Sequence, residues 1–340
     1  MFRGNQDENS LVQRIERGFA EKQAGNRNTL KLGLGDDAAL FAPRSGYQTI
    51  LTCDWFLEGT HFLRDKHPAD AVGWKCLARA VSDIAAMGGQ PRCFLLSLAL
   101  PQTHAGRWLD EFLSGLRRAA RRFRCLLAGG DTTRREEILI NVTVVGEVRE
   151  GRAVLRSGAK PGDVIFVSGR LGEAELGLRL LRRGETIAGR KDPALKKHLY
   201  PEPRLELGRW LAEKGLATAM MDLSDGLSSD LPRLCAASGV GARIEEAKLP
   251  KVSASGNKRT QGFDRLHLAL DGGDDYEMLF VVPRRKVKSI PRSFRGLALT
   301  SIGEITRERA ILRTDKNGQE RKLVPGGWDP FRKAKRSLPT

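Results

Sequence analysis

The run TILTCDWF at residues 49–56, followed by DAVGWKCLARAVSDIAAMG at 70–88, sets the architecture of this chain. The first run is apolar, enters an acid at Asp54, and reads as a strand. In the second, Val72, Cys76, Leu77, Ala80, Val81 and Ile84 recur at helical spacing, and Gly88 with Gly89 closes the helix. The alternation continues outward. CFLLSLALP (93–101) reads as a buried strand stopped by Pro101, 106–123 as a helix, and CLLAGG (125–130) and ILINVTVVGEV (138–148) as strands. After Arg149 the pattern restarts: a strand at 163–169, helices at 173–181 and 204–215, and a strand at 217–222. A further helix is expected over 228–239, capped by Asp230 or Ser229, with Pro232 in its first turn. The polar, Gly-rich stretch REGRAVLRSGAKPGD (149–163) marks the expected division into two α/β domains, 1–149 and 150–340.

Composition bounds the function. The 340 residues, 40% of them hydrophobic, suffice for two cores. No apolar stretch approaches a membrane span, and the start MFRGNQDENS lacks the apolar segment of a signal peptide, so the cytoplasm is the expected compartment. Five cysteines without a C-x-x-C pair indicate neither a disulfide framework nor structural zinc. They are expected to be reduced and mostly buried. The formal charge of +17 is clumped in part in RRAARRFR (117–124), RRKVK (284–288) and FRKAKRS near the end. On a helix, Arg117, Arg118, Arg121, Arg122 and Arg124 spread around the axis, and no aromatic interleaving or RNA-binding motif accompanies them. No nucleic-acid partner is expected, and the charge is read as a surface that favours anionic substrates.

Against this basic background, acids recur within or just beyond apolar runs. They are Asp36 and Asp37 in LGLGDDAAL, Asp54 in TILTCDWF, Asp83 in AVSDIAAMGG and Asp131 in LLAGGDTT, then Asp222 and Asp225 in AMMDLSDGLSSD and Asp274 and Asp275 in LALDGGDDYEM. Any one of them reads as a turn former beside Gly or a helix cap. Six such segments point instead to a shared hard cation, because carboxylates converging on one cleft repel unless a divalent ion sits between them. Mg²⁺ takes oxygen ligands and leaves room for substrate phosphates. The standard nucleotide motifs do not explain the pattern. There is no G-x-x-x-x-G-K-[ST], and although Gly33, Gly35 and Ala38 fit G-x-G-x-x-A, Asp36 and Asp37 stand where a pyrophosphate needs N–H groups.

In order, GLGDDAAL, TCDWFLEGTHF, AVSDIAAMG, AGGDTT, VLRSGAKPGD, MDLSDGLSSDL and GGDDYEMLF resemble the thiamine-monophosphate kinase family, within the superfamily of aminoimidazole ribonucleotide synthetase. The match runs from about residue 30 to Trp328. The resemblance implies two α/β domains of mixed sheets covered by helices, a homodimer, and ATP-dependent phosphorylation of thiamine phosphate to thiamine diphosphate with several Mg²⁺ ions. It also implies that Asp37, Asp54, Asp83, Asp131, Asp222 and Asp225 are Mg²⁺ ligands and Thr52 a further metal contact. Gly130, Asp131, Arg156 and Ser224 match its ATP contacts, and His61, Asp274 and Trp328 its substrate positions. Two positions depart from the pattern: Cys53 replaces a hydroxyl beside the strand acid, and Asp274 replaces a Glu. Water is expected to take the hydroxyl's place at Cys53, unless the thiol packs in the core.

Each residue also has a plainer reading. Asp83 lies four after Arg79 and would form an ion pair on the helix; His61 would be a solvent-facing histidine; Trp328 would cover the core; Arg156 would solvate the domain boundary; Asp225 and Asp230 would cap the following helix. The chemistry is coherent nonetheless. A phosphate acceptor is already anionic, so the reaction needs alignment and charge neutralisation, by metal ions and Arg156, more than a strong base. The alternatives are a sister ATP-dependent enzyme, aminoimidazole ribonucleotide synthetase-like, or a non-catalytic polyanion-binding protein. A selenophosphate-forming relative would carry a reactive Cys before the first Gly-acid motif, and a hydrogenase-maturation relative a Cys-bearing tail; this chain has neither.

Overall fold

The computed structural model describes residues 8–20, 29–34, 38–184, 192–252 and 262–331. In chain order the elements of the first half are α1 (Glu8–Ala20), β1 (Leu30–Leu32), β2 (Leu40–Phe41), β3 (Tyr47–Leu57), α2 (Ala69–Ala86), β4 (Gln90–Leu100), α3 (Arg107–Phe123), β5 (Leu126–Arg134) and β6 (Leu139–Arg149). Those of the second half, up to its central helix, are β7 (Val164–Ser168), α4 (Glu173–Arg182), α5 (Pro193–Leu199), α6 (Leu205–Glu213), β8 (Ala219–Leu223) and α7 (Leu227–Ser238). Then come β9 (Gly241–Glu245), α8 (Arg265–Asp271), β10 (Glu277–Val282), β11 (Ser293–Phe294), β12 (Leu297–Thr306), β13 (Ile311–Thr314) and β14 (Glu320–Lys322).

Two mixed sheets result. The first has the order β3-β6-β4-β5, antiparallel except for the parallel β4–β5 pair. Period-two alternation sends Ile50, Phe56, Phe94, Leu96, Ile140, Val142 and Val144 inward, where α2 and α3 cover them with Leu77, Val81, Leu109, Phe112 and Leu116. On the other face Leu30 and Phe41 of β1 and β2 cover Cys93 and Ala128, and the rest of that face is bare among the described residues, with Leu51, Trp55 and Leu95 exposed. The second sheet has eight strands, running β14-β13-β9-β12-β7-β10-β8 with β11 beside β12. Its core joins Ile165, Val167, Met221, Leu279 and Ile302 to Leu227, Leu231 and Leu234 of α7.

Helix α2 ties the halves together. Its end, Ala85 and Ala86, packs with Leu207 and Leu211 of α6, Met220 of β8 and Met278 of β10. Gly88 ends it as the spacing predicts, in a left-handed conformation (φ 74°) with its N–H on Ala85 O at 2.9 Å. Where α2 crosses α3 the approach is so close that a Cβ at Gly115 would lie 1.8 Å from Asp70 O. Gly115→Ala should therefore part the helices and lower stability by about 1–3 kcal/mol, as overpacking does, read as a fall in Tm.

Helix α7 begins one residue earlier than its sequence suggests, at Leu227 after Gly226, and neither Asp230 nor Ser229 is its N-cap. Asp230 instead reaches back from inside the first turns to accept the N–H groups of Ser224 (3.1 Å) and Asp225 (3.0 Å). Pro232 consequently sits inside the helix rather than in its first turn. Among the described residues no helix is long and apolar enough to cross a membrane, and of the five free thiols four are buried and Cys53 is exposed.

Candidate functional site

The cleft is organised by one stripe of α2. Lys75, Arg79 and Asp83 follow at four-residue spacing, so they lie along one face, with Ser82 beside them. That face looks toward the inward residues Thr52 and Asp54 of β3, the end of β8 at Asp222, and the turn after α8 that carries Asp274. Thr52 Oγ1 donates to Asp83 Oδ2 at 2.5 Å, and Ser82 Oγ to Asp222 Oδ2 at 2.6 Å. Burial raises the pKa of Asp222, and the neighbouring Asp83 raises it further. Burial also raises Asp83, against the Thr52 hydrogen bond and the Arg156 charge. Asp54 is pushed up to about 6 by burial, which Arg79 partly offsets and Asp83, Asp225 and Asp274 reinforce. The site holds negative charge that the protein leaves incompletely compensated.

Arg79 is the residue its sequence position undersells. Among the described residues it forms no ion pair with Asp83; its guanidinium lies over the Phe56 ring at 5.4 Å, and its buried Nε has no hydrogen-bond partner. Tyr276, Asp274, Asp54 and Asp225 all act on its charge. A second feature missed is a chain of buried groups behind Asp274. Lys75 Nζ meets Asp274 Oδ2 at 2.7 Å and His198 Nδ1 at 3.3 Å, and His198 Nε2 lies 3.0 Å from His67 Nε2. Burial lowers the pKa of both histidines, His67 to about 4, and Lys75 lowers them further. Two neutral rings therefore brace the lysine. Asp274 itself has φ 64° and accepts from Tyr276 OH at 2.7 Å; although burial opposes ionisation, Lys75 and Arg79 hold its carboxyl far below the usual range. The signal for both features was present: basic residues at helical spacing in an otherwise apolar stretch.

The remaining expected residues divide. His61 accepts the Leu57 N–H on Nδ1 at 3.0 Å and is lowered to about 4, by burial first and Arg79 next, so it stands neutral beside Arg79 and Asp274 rather than facing solvent as a charged group. Arg156 is exposed but close enough for its charge to act on Asp83. Ser224 O accepts the Asp274 N–H at 2.8 Å, and Asp225 O the Trp328 N–H at 2.9 Å, so the half-exposed Trp328 is pinned to the acidic turn. The Asp225 carboxylate pairs with Arg233. Asp131, next to the exposed Gly130, lies apart: its row across the sheet is Ser97, Asn141 and Trp55, on the bare face opposite to Asp54. Asp37 lies outside the described residues.

Cys53 corrects an expectation twice over. It is neither buried nor beside Asp54, Asp83 and Asp222, because alternation turns it to the bare face, where Sγ lies 3.2 Å from Asn141 Nδ2 and 3.5 Å from Thr143 Oγ1. Cys53→Ser should leave both the Mg²⁺ concentration for half-maximal rate and the Cd²⁺ sensitivity unchanged, with stability altered by no more than about 0.5 kcal/mol. Steady-state rates against each ion would check this.

Comparison with known proteins places this arrangement. Residues 35–148 match the N-terminal domain model, and 160–315 the C-terminal domain model, of the AIR synthase related proteins. The thiamine-monophosphate kinase of Escherichia coli (strain K12) is 37% identical over 317 residues, 92% of this chain and 96% of the relative. The chain belongs to the thiamine-monophosphate kinase family. Among solved structures, the family member from Stenotrophomonas maltophilia K279a superposes with a TM-score of 0.77 at 34% identity, covering 91% of this chain and 96% of that one. AaThiL complexed with AMPPCP and TMP superposes with a TM-score of 0.74 at 32% identity, covering 97% and 99%.

The oxygen donors of the cleft suit a hard ion: Asp54, Asp83 and Asp222 are ionisable groups whose burial and mutual repulsion favour a cation between them. Among the described residues, no three of His, Cys, Asp and Glu come together closely enough to enclose a metal.

Proposed function

We propose that this protein phosphorylates thiamine phosphate to thiamine diphosphate with ATP, by direct in-line transfer. The observation that carries the reading is the cleft in which Asp54 and Asp83, with Asp222 beside Asp83, face Arg79, whose guanidinium forms no ion pair among the described residues. Two anions must approach each other, and the cleft supplies ligands for cations plus a fixed positive group. Mg²⁺ held by Asp54, Asp83 and Asp222, with Thr52, Asp225 and Asp37 in supporting positions, would neutralise phosphate charge during transfer. Arg156, Gly130, Asp131 and Ser224 are assigned to ATP. His61, Asp274 and Trp328 are assigned to the acceptor: the ionised Asp274 suits a cationic ring, His61 offers a neutral imidazole, and the Trp328 indole suits stacking.

The same reading divides the chain at 149/150 and makes it a homodimer. The bare face with Leu51, Trp55 and Leu95 supports dimerisation, because such a patch on a sheet is unusual for a monomer. Asp131 lies on that face, so its part in the site would come through the second copy. Five free thiols support a reducing compartment, the cytoplasm.

The acceptor assignment is tested by coupling ADP release to chromatography of the product. Thiamine phosphate should give one ADP per thiamine diphosphate, and free thiamine should react at least about 100-fold less efficiently, since it lacks the anion that the ions and Arg79 would grip. Equal efficiency with free thiamine would overturn the reading.

A further inference from the structure

The arginine run at 117–124 takes no part in the cleft, and the fold does not scatter it. Only Arg118 turns away, pairing with Asp70 at 2.7 Å. Arg124 adopts a left-handed conformation (φ 55°) at the end of α3, and Arg117, Arg121, Arg122 and Arg124 all line one cavity of about 880 Å³. Its other walls come from the start of β4, the segment 202–209 and residues 294–297, so both halves of the chain enclose it. None of the cleft residues lines it. The volume lies in the range of sites for small ligands and cofactors.

Part of its charge is matched: Arg92 pairs with Glu147 at 2.9 Å, Arg122 with Glu202 at 3.1 Å, and Arg204 and Arg295 with Glu277 and Glu206. Two cations are not. Among the described residues Arg117 reaches only the Gly18 carbonyl, at 3.4 Å, and Arg121 meets no carboxylate. The carbonyls at the end of α3 do not oppose an anion either, because Cys125 N–H takes Ala120 O at 2.9 Å and Arg124 N–H takes Arg121 O at 3.3 Å. Of the aromatic side chains in the lining, Phe19 and Phe123 are buried and Phe294 is partly exposed, so Phe294 offers the ring surface. Guanidinium forks match phosphate oxygens bidentately, and aromatic faces suit a planar ring.

We infer that this cavity is a second anion site, for a small molecule that joins two or more phosphate groups to a planar ring: the nucleotide class, bound without the Mg²⁺ on which the cleft depends. The test is titration calorimetry on the full chain in EDTA, where the acids of the cleft repel a free polyanion. ADP should bind saturably at one site per chain, and more tightly than pyrophosphate. Arg117→Glu with Arg121→Glu should weaken ADP at least tenfold while leaving turnover with saturating Mg²⁺ and ATP within twofold. The exposed Arg121→Glu alone should weaken it in the same direction, which guards against a double variant that fails to fold. No binding in EDTA, or binding that survives charge reversal, would overturn the site. Equal affinity for ADP and pyrophosphate would overturn the ring part of the inference.

Discussion

Asp222→Asn is expected to lower turnover by roughly 10²–10³-fold, the scale on which removing a group that stabilises transition-state charge is felt, without lowering the melting temperature of the metal-free protein. Asp222 is buried, takes the Ser82 hydroxyl, and is raised first by burial and then by Asp83. An acid whose pKa rises on folding contributes stability that is fully present below its ordinary value and is lost as pH rises through the folded value. In the absence of a cation, wild-type stability should therefore decline on going to neutral pH. Asp54 contributes to the same decline between its ordinary 3.8 and about 6. Asparagine keeps the shape, accepts the Ser82 hydrogen bond and removes the charge. The variant should show a flatter stability profile together with lost activity. If Asp222 only shaped a turn, the opposite pair would appear: lowered Tm and full activity per folded molecule. Thermal unfolding in EDTA from pH 5 to 8, beside turnover in Mg²⁺, distinguishes the two.

Much of this was legible because the decisive signals are local. The period-two run of β3 and the helical spacing of α2 follow from side-chain direction alone, and Gly88 closes the helix where the chain turns left-handed. The acids stood out because nothing in a basic protein calls for them at the ends of apolar runs. What the sequence hid is relational. Cys53 is next to Asp54 in the chain, yet the pleat sends them to opposite faces, so adjacency was a poor guide to a shared metal shell. His198 and Lys75 are far apart in the chain and meet only because α5 packs beside α2. The arginine run looked dispersed, yet at 3.6 residues per turn Arg117, Arg121 and Arg124 already fall within roughly 60° of one another, and only the walls that other segments supply were hidden from the sequence. Asp230 was read as a cap from its place before an apolar run; its carboxylate does serve backbone N–H groups, but those of the preceding turn.

Arg79 carries the other large expected effect. Its position four residues before Asp83 invites the reading of a helix ion pair, and the structure replaces that with a guanidinium stacked over Phe56 that forms no ion pair among the described residues. A fixed cation facing Asp54, Asp225 and Asp274 can act in two ways. It can hold the transferring phosphate as negative charge redistributes, or it can merely dilute the repulsion among the acids. The first predicts that Arg79→Met lowers kcat and kcat/KM together by roughly 10²–10³-fold, because the lost contact belongs to the transition state. Arg79→Lys should recover only a small part, since a compact ammonium cannot match the planar fork that meets two phosphate oxygens. The second predicts that added cation or added protons can stand in for the arginine. Under that reading the Arg79→Met rate would return as Mg²⁺ is raised well above saturation, or as pH is lowered through about 6, where Asp54 takes up its proton. Rates for wild type and both variants over Mg²⁺ concentration and pH separate them: a deficit that persists at every Mg²⁺ level and pH places Arg79 on the phosphate, and recovery of the rate removes it from the reaction.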